Sequence, residues 1–123
     1  MGTNDNGSIT DFETNMRLAV ETTINNGVIP VLGTKADRFE GDNRNNLAIR
    51  RIAADYLVPL WDFDLVADTL PGRGLSEDDV HLTIMYEHDY NDPEAFQRGY
   101  PVNDLTGLMV LHTILNQVIL AAD

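Results

Sequence analysis

The chain has 123 residues, 43% of them apolar, which is enough for one core and too few for two ordinary domains. Twenty acidic residues against eight basic ones give a formal charge of −12, which repels a phosphate backbone and an anionic membrane surface and so argues against nucleic acid as a partner. With no cysteine there are no disulfides, thiolate metal sites or cysteine nucleophiles, and the compartment is left open.

The opening MGTNDNGSIT has neither a basic start nor an apolar core, so no signal peptide is expected in it. From Ile9 to Asn26, the residues Phe12, Met16, Leu18, Ala19 and Ile24 recur at spacings of an amphipathic helix, with Thr10 or Asp11 placed as N-caps. Asn25-Asn26-Gly27 closes it. Val28 to Leu32 is a short apolar run between Gly27 and Gly33, which suits a strand buried on both faces, although Pro30 lacks the amide that a ladder uses. Thr34 to Asp42 reads as a loop. Leu47, Ile49, Ile52, Ala53 and Tyr56 then mark a second helix from Asn43 to Tyr56, capped by Asp42 or Asn43.

Leu57 to Phe63 reads as another buried strand, so helix, strand, helix and strand follow one another in the rhythm of parallel α/β architecture. Leu65 to Leu70 suits one or two helical turns, and Pro71-Gly72-Arg73-Gly74 a loop. From Met85 to Asn103 the chain is aromatic and polar without a clean period, and Tyr86, Tyr90, Phe96 and Tyr100 there suit packing at the surface or, alternatively, a pocket wall. The closing helix, Leu105 to about Ala121, is apolar around most of its circumference, as a helix buried between layers would be. Interrupted by His112, Asn116 and Gln117, it is short for a membrane span of about 20 residues, so no membrane span is expected.

Two short motifs carry chemistry. In Asp78-Asp79-Val80-His81 an acid and an imidazole stand three residues apart, close enough on one loop for the carboxylate to hold one ring nitrogen while the other faces a reacting centre. Gly2-Thr3-Asn4-Asp5 precedes the first helix, where glycine suits a tight turn and asparagine a donor or cap. In this order, and with the stretches 29–35, 46–54 and 58–62 between them, they resemble the third and fifth sequence blocks of the SGNH (GDSL-type) hydrolases, serine esterases and lipases of flavodoxin-like fold. The resemblance covers essentially the whole chain, though only about six residues are diagnostic, counted on those two blocks.

The resemblance implies an α/β fold, a three-layer flavodoxin-like (SGNH hydrolase-like) parallel sheet incomplete at its N-terminus, formed by residues 1–123 as a single partial domain. It implies His81 as general base, Asp78 as its orienting acid and Asn4 as oxyanion donor, with Gly2 giving the turn beside the substrate. Lys35, Asp37 and Arg38 follow the first strand, where open α/β sheets bind ligands, and are substrate-pocket candidates. The substrate class implied is an acyl or acetyl ester of a lipid or carbohydrate, with no cofactor, because serine-type acyl transfer needs none. An extracellular or periplasmic location is open by the same resemblance.

The block with the Gly-Asp-Ser nucleophile has no counterpart. The only serines are Ser8 and Ser76, neither in that context, and both suit turns or caps. The expectation is therefore an ester hydrolase portion inactive by itself, which self-associates or takes a partner that supplies missing strands. The alternative is a non-catalytic module that binds a ligand or protein through the same cleft. Asp62, Asp64, Asp68, Glu77, Asp78 and Asp79 match no calcium-loop spacing and read as a solvated acidic rim, so no metal is expected. Gly33-Thr34-Lys35 lacks the rest of a phosphate loop, and His88 and His112 suit packing or hydrogen bonding.

Overall fold

The computed structural model describes residues 7–122. Helix α1 (Ile9–Asn25) is capped by Ser8, whose extended backbone and hydroxyl accept the chain at its start, with Asp11 N–H donating to Ser8 Oγ at 3.4 Å. Gly27, at φ +72°, turns the chain out of the helix. Strand β1 (Leu32–Gly33) leads through a loop to helix α2 (Arg44–Tyr56), then to strand β2 (Leu60–Trp61) and the short helix α3 (Phe63–Ala67). Two 3-10 segments, Pro71–Gly74 and Pro93–Gln97, precede helix α4 (Gly99–Ile114), whose last turns loosen into a wider π turn and a final 3-10 turn.

The expected three-layer flavodoxin-like parallel sheet is not what forms. The described residues are mostly helical, and their one sheet is a two-stranded parallel ribbon with Leu32 opposite Leu60 and Gly33 opposite Trp61. Pro30 and Pro59 remove ladder donors just before each strand, so the apolar runs around them stay extended without pairing. Val28, Ile29 and Leu57 are exposed instead of buried on two faces.

The ribbon separates two cores by strand alternation. Leu32, with Leu60 packed beside it, joins Phe12, Met16 and Val20 of α1 and Ala48, Ile49, Ile52 and Ala53 of α2. Trp61 faces the other way, onto a core of Ala36, Phe63, Ala67 and Val102. Its indole lies between two glycines: a Cβ on Gly33 or Gly107 would stand 3.4 or 3.3 Å from the ring, so α4 rides directly on the indole. The indole Nε1 donates to Thr106 Oγ1 at 3.0 Å. Ion pairs at the surface align α1 with α2, among them Arg17 to Asp55 at 2.6 Å and Arg51 to Glu13.

The closing helix departs from expectation at both ends. It begins six residues early, at Gly99 rather than Leu105, because its first free amides already have partners: Gly99 N–H donates to Thr83 Oγ1 at 2.7 Å, Tyr100 N–H to Thr83 O at 3.0 Å, and Pro101 has none to satisfy. Only its first turn is buried. Leu108, Met109, Leu111, Val118 and Ile119 are exposed, so it is not a helix between layers. Among the described residues no helix is long and apolar enough to cross a membrane.

Helix α2 ends on Leu57 in the left-handed conformation, φ 53°, with Leu57 N–H bonded to Ala54 O and Val58 N–H to Ala53 O. A β-carbon is unfavourable there, and this side chain is 92% exposed, so it gains no burial in return. Leu57→Gly is expected to raise stability by about 1 kcal/mol, read as a higher urea midpoint at unchanged slope; a lower midpoint would show that the leucine contributes packing.

Candidate functional site

The chemistry gathers at the carboxyl ends of β1 and β2. The elements there are held by one buried carboxylate. Asp64, 2% exposed, accepts from Arg50 Nη2 at 2.7 Å, Arg73 Nη2 at 2.5 Å, Arg38 Nη2 at 3.3 Å and Asn43 Nδ2 at 3.0 Å. Arg50 also grips both oxygens of Asp62, Nε at 2.9 Å and Nη2 at 2.8 Å, and that fork, with burial opposing it and Asp64 adding to it, raises the guanidinium further above its ordinary value. Thr34 closes the network by donating to Asp62 Oδ1 and accepting from the Asp64 amide, both at 2.8 Å. Asp68 pairs with Arg73. Asp62, Asp64 and Asp68 are thus a paired ionic cluster and not the solvated rim that the sequence suggests. No group of residues suited to a metal ion occurs among the described residues.

Lys35 is fixed in the loop after β1. Its backbone is tied to Asn46 of α2 through two bonds of 2.9 Å, N–H to Oδ1 and Nδ2 to O, and Asn46 is fully buried. Its ammonium lies 2.8 Å from Asp37 Oδ1, 3.0 Å from Asp37 O and 2.6 Å from Glu40 Oε2.

Loop 76–81 carries the dyad. An antiparallel bridge between Leu75 and Leu82 closes it, and both leucines pack on the core of Phe63 and Val102. Below the bridge, Thr83 N–H donates to Gly74 O at 2.8 Å, and Gly74 crosses Gly99 so closely that a Cβ on Gly99 would lie 2.2 Å from Gly74 O. Any larger residue at this crossing would lift the loop off α4. Within the loop, Asp78 Oδ1 accepts from the Ser76 hydroxyl at 2.8 Å and from the amides of Val80 and His81 at 3.0 and 2.9 Å. Asp78 Oδ2 then stands 2.6 Å from His81 Nδ1. The bond to the His81 ring, then the amides and the Ser76 hydroxyl, hold the Asp78 carboxyl well below the usual carboxylate range. An ionised carboxylate only accepts, so the proton in this bond is carried by Nδ1, and Nε2 is the ring nitrogen left to face a reacting group.

His81, with Val80 and Leu82, forms one wall of a cleft of about 380 Å³. Thr34, Lys35, Ala36 and Asp37 form the opposite wall, and Phe63, Tyr100 and Asn103 complete it. The structure therefore brings together His81, Asp78, Lys35 and Asp37. Arg38 is not among them: it faces a separate hollow with Phe39, Arg73 and Asp79, and Asp78, joined to His81 from behind, lines that hollow and not the cleft. The four tyrosines and phenylalanines of the aromatic excursion, Tyr86, Tyr90, Phe96 and Tyr100, are all exposed and not packed as expected, and Tyr100 alone of them lines the cleft. Gly2 and Asn4 lie outside the described residues. Ser8 caps α1 and Ser76 braces Asp78, so both serines have local structural work, and among the described residues no group bonds to His81 Nε2.

Several contributors are invisible in the motif. Ser76 reads only as a turn residue, Asn43 only as a helix cap, and Asn46, Arg50 and Arg73 look like ordinary surface positions; the one signal is that Asp62 and Thr34 directly follow strands. No family model matches the chain, and neither a curated protein nor a solved structure matches it.

Burial pushes the Asp64 carboxyl up, but the bonds from Asn43, Arg50 and Arg73 and the charge of Arg38 outweigh it and hold the group at about 2, below its ordinary 3.8. A lowered carboxylate contributes stability that is present above about pH 4 and is lost as pH falls towards 2; the loss expected is about 2 kcal/mol. Asp64→Asn leaves the guanidinium groups around an uncharged partner and is expected to cost about 3–5 kcal/mol at neutral pH and to flatten that acid limb, measured by urea titrations from pH 6 to 2. For the dyad, ¹⁵N spectra of His81 are expected to show the Nδ1–H tautomer, and Ser76→Ala to reduce it towards a mixture; a wild-type ring in the Nε2–H form would contradict the arrangement.

Proposed function

We propose that the chain supplies the acid–base portion of a serine-type ester hydrolase, as its resemblance to the SGNH family implies. The observation that carries the reading is the Asp78–His81 pair, joined at 2.6 Å through Nδ1, on a loop whose histidine lines a cleft at the carboxyl ends of two parallel strands. In this reading His81 Nε2 takes the proton of a nucleophilic hydroxyl as that oxygen bonds to the ester carbonyl carbon. The imidazolium, stabilised by Asp78, returns the proton to the departing alcohol, and water repeats the sequence on the acyl intermediate. Asn4 is the proposed oxyanion donor. The nucleophilic hydroxyl comes from outside these residues, since Ser8 and Ser76 are engaged elsewhere.

That engagement also favours a second reading, a non-catalytic module that binds an ester-bearing or protein ligand in the same cleft. A fluorophosphonate probe read by intact mass separates the two. The chain alone is expected to take no adduct. Supplied with a polypeptide that bears a Gly-Asp-Ser strand, the serine of that partner is expected to be labelled, and His81→Ala to slow labelling by about 10²-fold or more. Labelling indifferent to His81, or an adduct on Ser8 or Ser76, would refute the assignment; ligand binding that survives His81→Ala without turnover would support the binding module.

A further inference from the structure

The outward side of the closing helix is apolar and uncovered. Asn103, Thr106, Gly107, Val110 and Ile114, all half-buried, mark the stripe turned towards the body of the molecule. The opposite stripe runs through Leu105, Leu108, Met109, His112, Leu115 and Ile119, all exposed, Leu108 at 66% and Met109 at 58%. Between Asp104 and Asp123 the sequence holds no Asp, Glu, Lys or Arg. On a chain of charge −12, this is therefore a face at which two copies can approach without opposing carboxylates. Eight large apolar side chains are exposed between residues 105 and 120. At about 90 Å² each they hold about 700 Å², more than a monomer commonly exposes in one patch and close to the ~800 Å² that one partner gives a stable interface.

The exposed stripe is close to a palindrome about His112. Met109 and Leu115 lie three residues to either side of it, Leu108 and Asn116 four, and Leu105 and Ile119 seven. We propose that this face is the interface of a symmetric homodimer, in which two closing helices pack antiparallel about a two-fold axis at His112. Such an axis sets Leu105 against Ile119 and Met109 against Leu115, twice each. The polar pair at the axis, His112 with Asn116 Nδ2 3.3 Å from its ring, fixes the register, as a lone polar position does in an apolar helix seam. Parallel packing is the poorer solution, because it brings together two exposed Asp104 carboxylates and the like ends of two helix dipoles. The antiparallel pair holds those carboxylates about 24 Å apart along the axis. Pairing is independent of the chemistry of the cleft, whose α4 residues, Tyr100 and Asn103, precede the paired stretch.

Sedimentation velocity over about 1–200 μM is expected to show a monomer–dimer equilibrium. Leu108→Glu, which sets a carboxylate in each half of the seam, is expected to weaken it by about 10²-fold with the helical dichroism unchanged. If that variant fails to fold, introduced cysteines decide, and they report cleanly because the chain has none of its own. Under mild oxidation His112→Cys is expected to cross-link with itself. Leu105→Cys is expected not to, since its two copies stand about 21 Å apart, beyond the reach of a disulfide, but to cross-link with Ile119→Cys when the two variants are mixed. Self-linkage of His112→Cys and Leu105→Cys at similar rates would show parallel packing and overturn the arrangement. A chain still monomeric at about 200 μM, its face left to a different polypeptide, or a dimer indifferent to a folded Leu108→Glu, overturns the homodimer at this face.

Discussion

A single carboxylate buried among guanidinium groups organises this protein. Asp64 sits at the first turn of α3, and its partners come from the loop after β1, the start and middle of α2, and the Pro71–Gly74 turn. A pairing ribbon of two residues per strand cannot by itself fix where this loop, helix and turn lie. The ionic cluster does so because each oxygen has a defined set of donors and because withdrawal of any one partner leaves a charge in a poorly solvated place. The cost of burying these charges is met by the number of bonds, not by any one of them.

The candidate site inherits its geometry from this arrangement. Arg73 pairs with Asp64 and also donates to Ala36 O at 3.1 Å, so the turn that leads into the dyad loop is pinned to the wall opposite it. Gly74 then crosses Gly99, and Thr83 joins both. Loop 76–81 is short, closed by its own bridge and braced by Ser76, which lets two largely exposed side chains keep a fixed relation. A dyad on an exposed loop would otherwise lose its geometry to solvent and side-chain freedom.

Local periodicity makes the helices legible. Phe12 and Met16 of α1, and Ile49, Ile52 and Ala53 of α2, are both periodic in the sequence and buried in the structure. The Asp-x-x-His spacing likewise foretells a contact that a loop of that length enforces. Periodicity fails where partners are distant. Asn45 and Asn46 look like surface residues yet are fully buried, because the loop after β1 offers Asn46 backbone partners that only the fold provides. Lys35 and Asp37 sit beside the cleft as strand-end logic suggests, but they bind one another, a pairing that spacing cannot distinguish from two open ligands. The sheet is misjudged for a related reason: an apolar run fixes neither burial nor pairing, since Val28, Ile29 and Leu57 are exposed and prolines before both strands cut the ladder short. In α4 an all-round apolar surface suggests enclosure, while only its first turn is covered.

The seat of Trp61 gives the molecule an optical handle. It is the sole tryptophan, pressed between Gly33 and Gly107 with its indole nitrogen bonded to Thr106. Its emission therefore has one source, and that source samples the seam between the ribbon and the closing helix. Should α4 part from the ribbon while α1 and α2 remain packed, the emission would shift to the red before helical dichroism fell, and the two halves of the core would be seen to come apart in order.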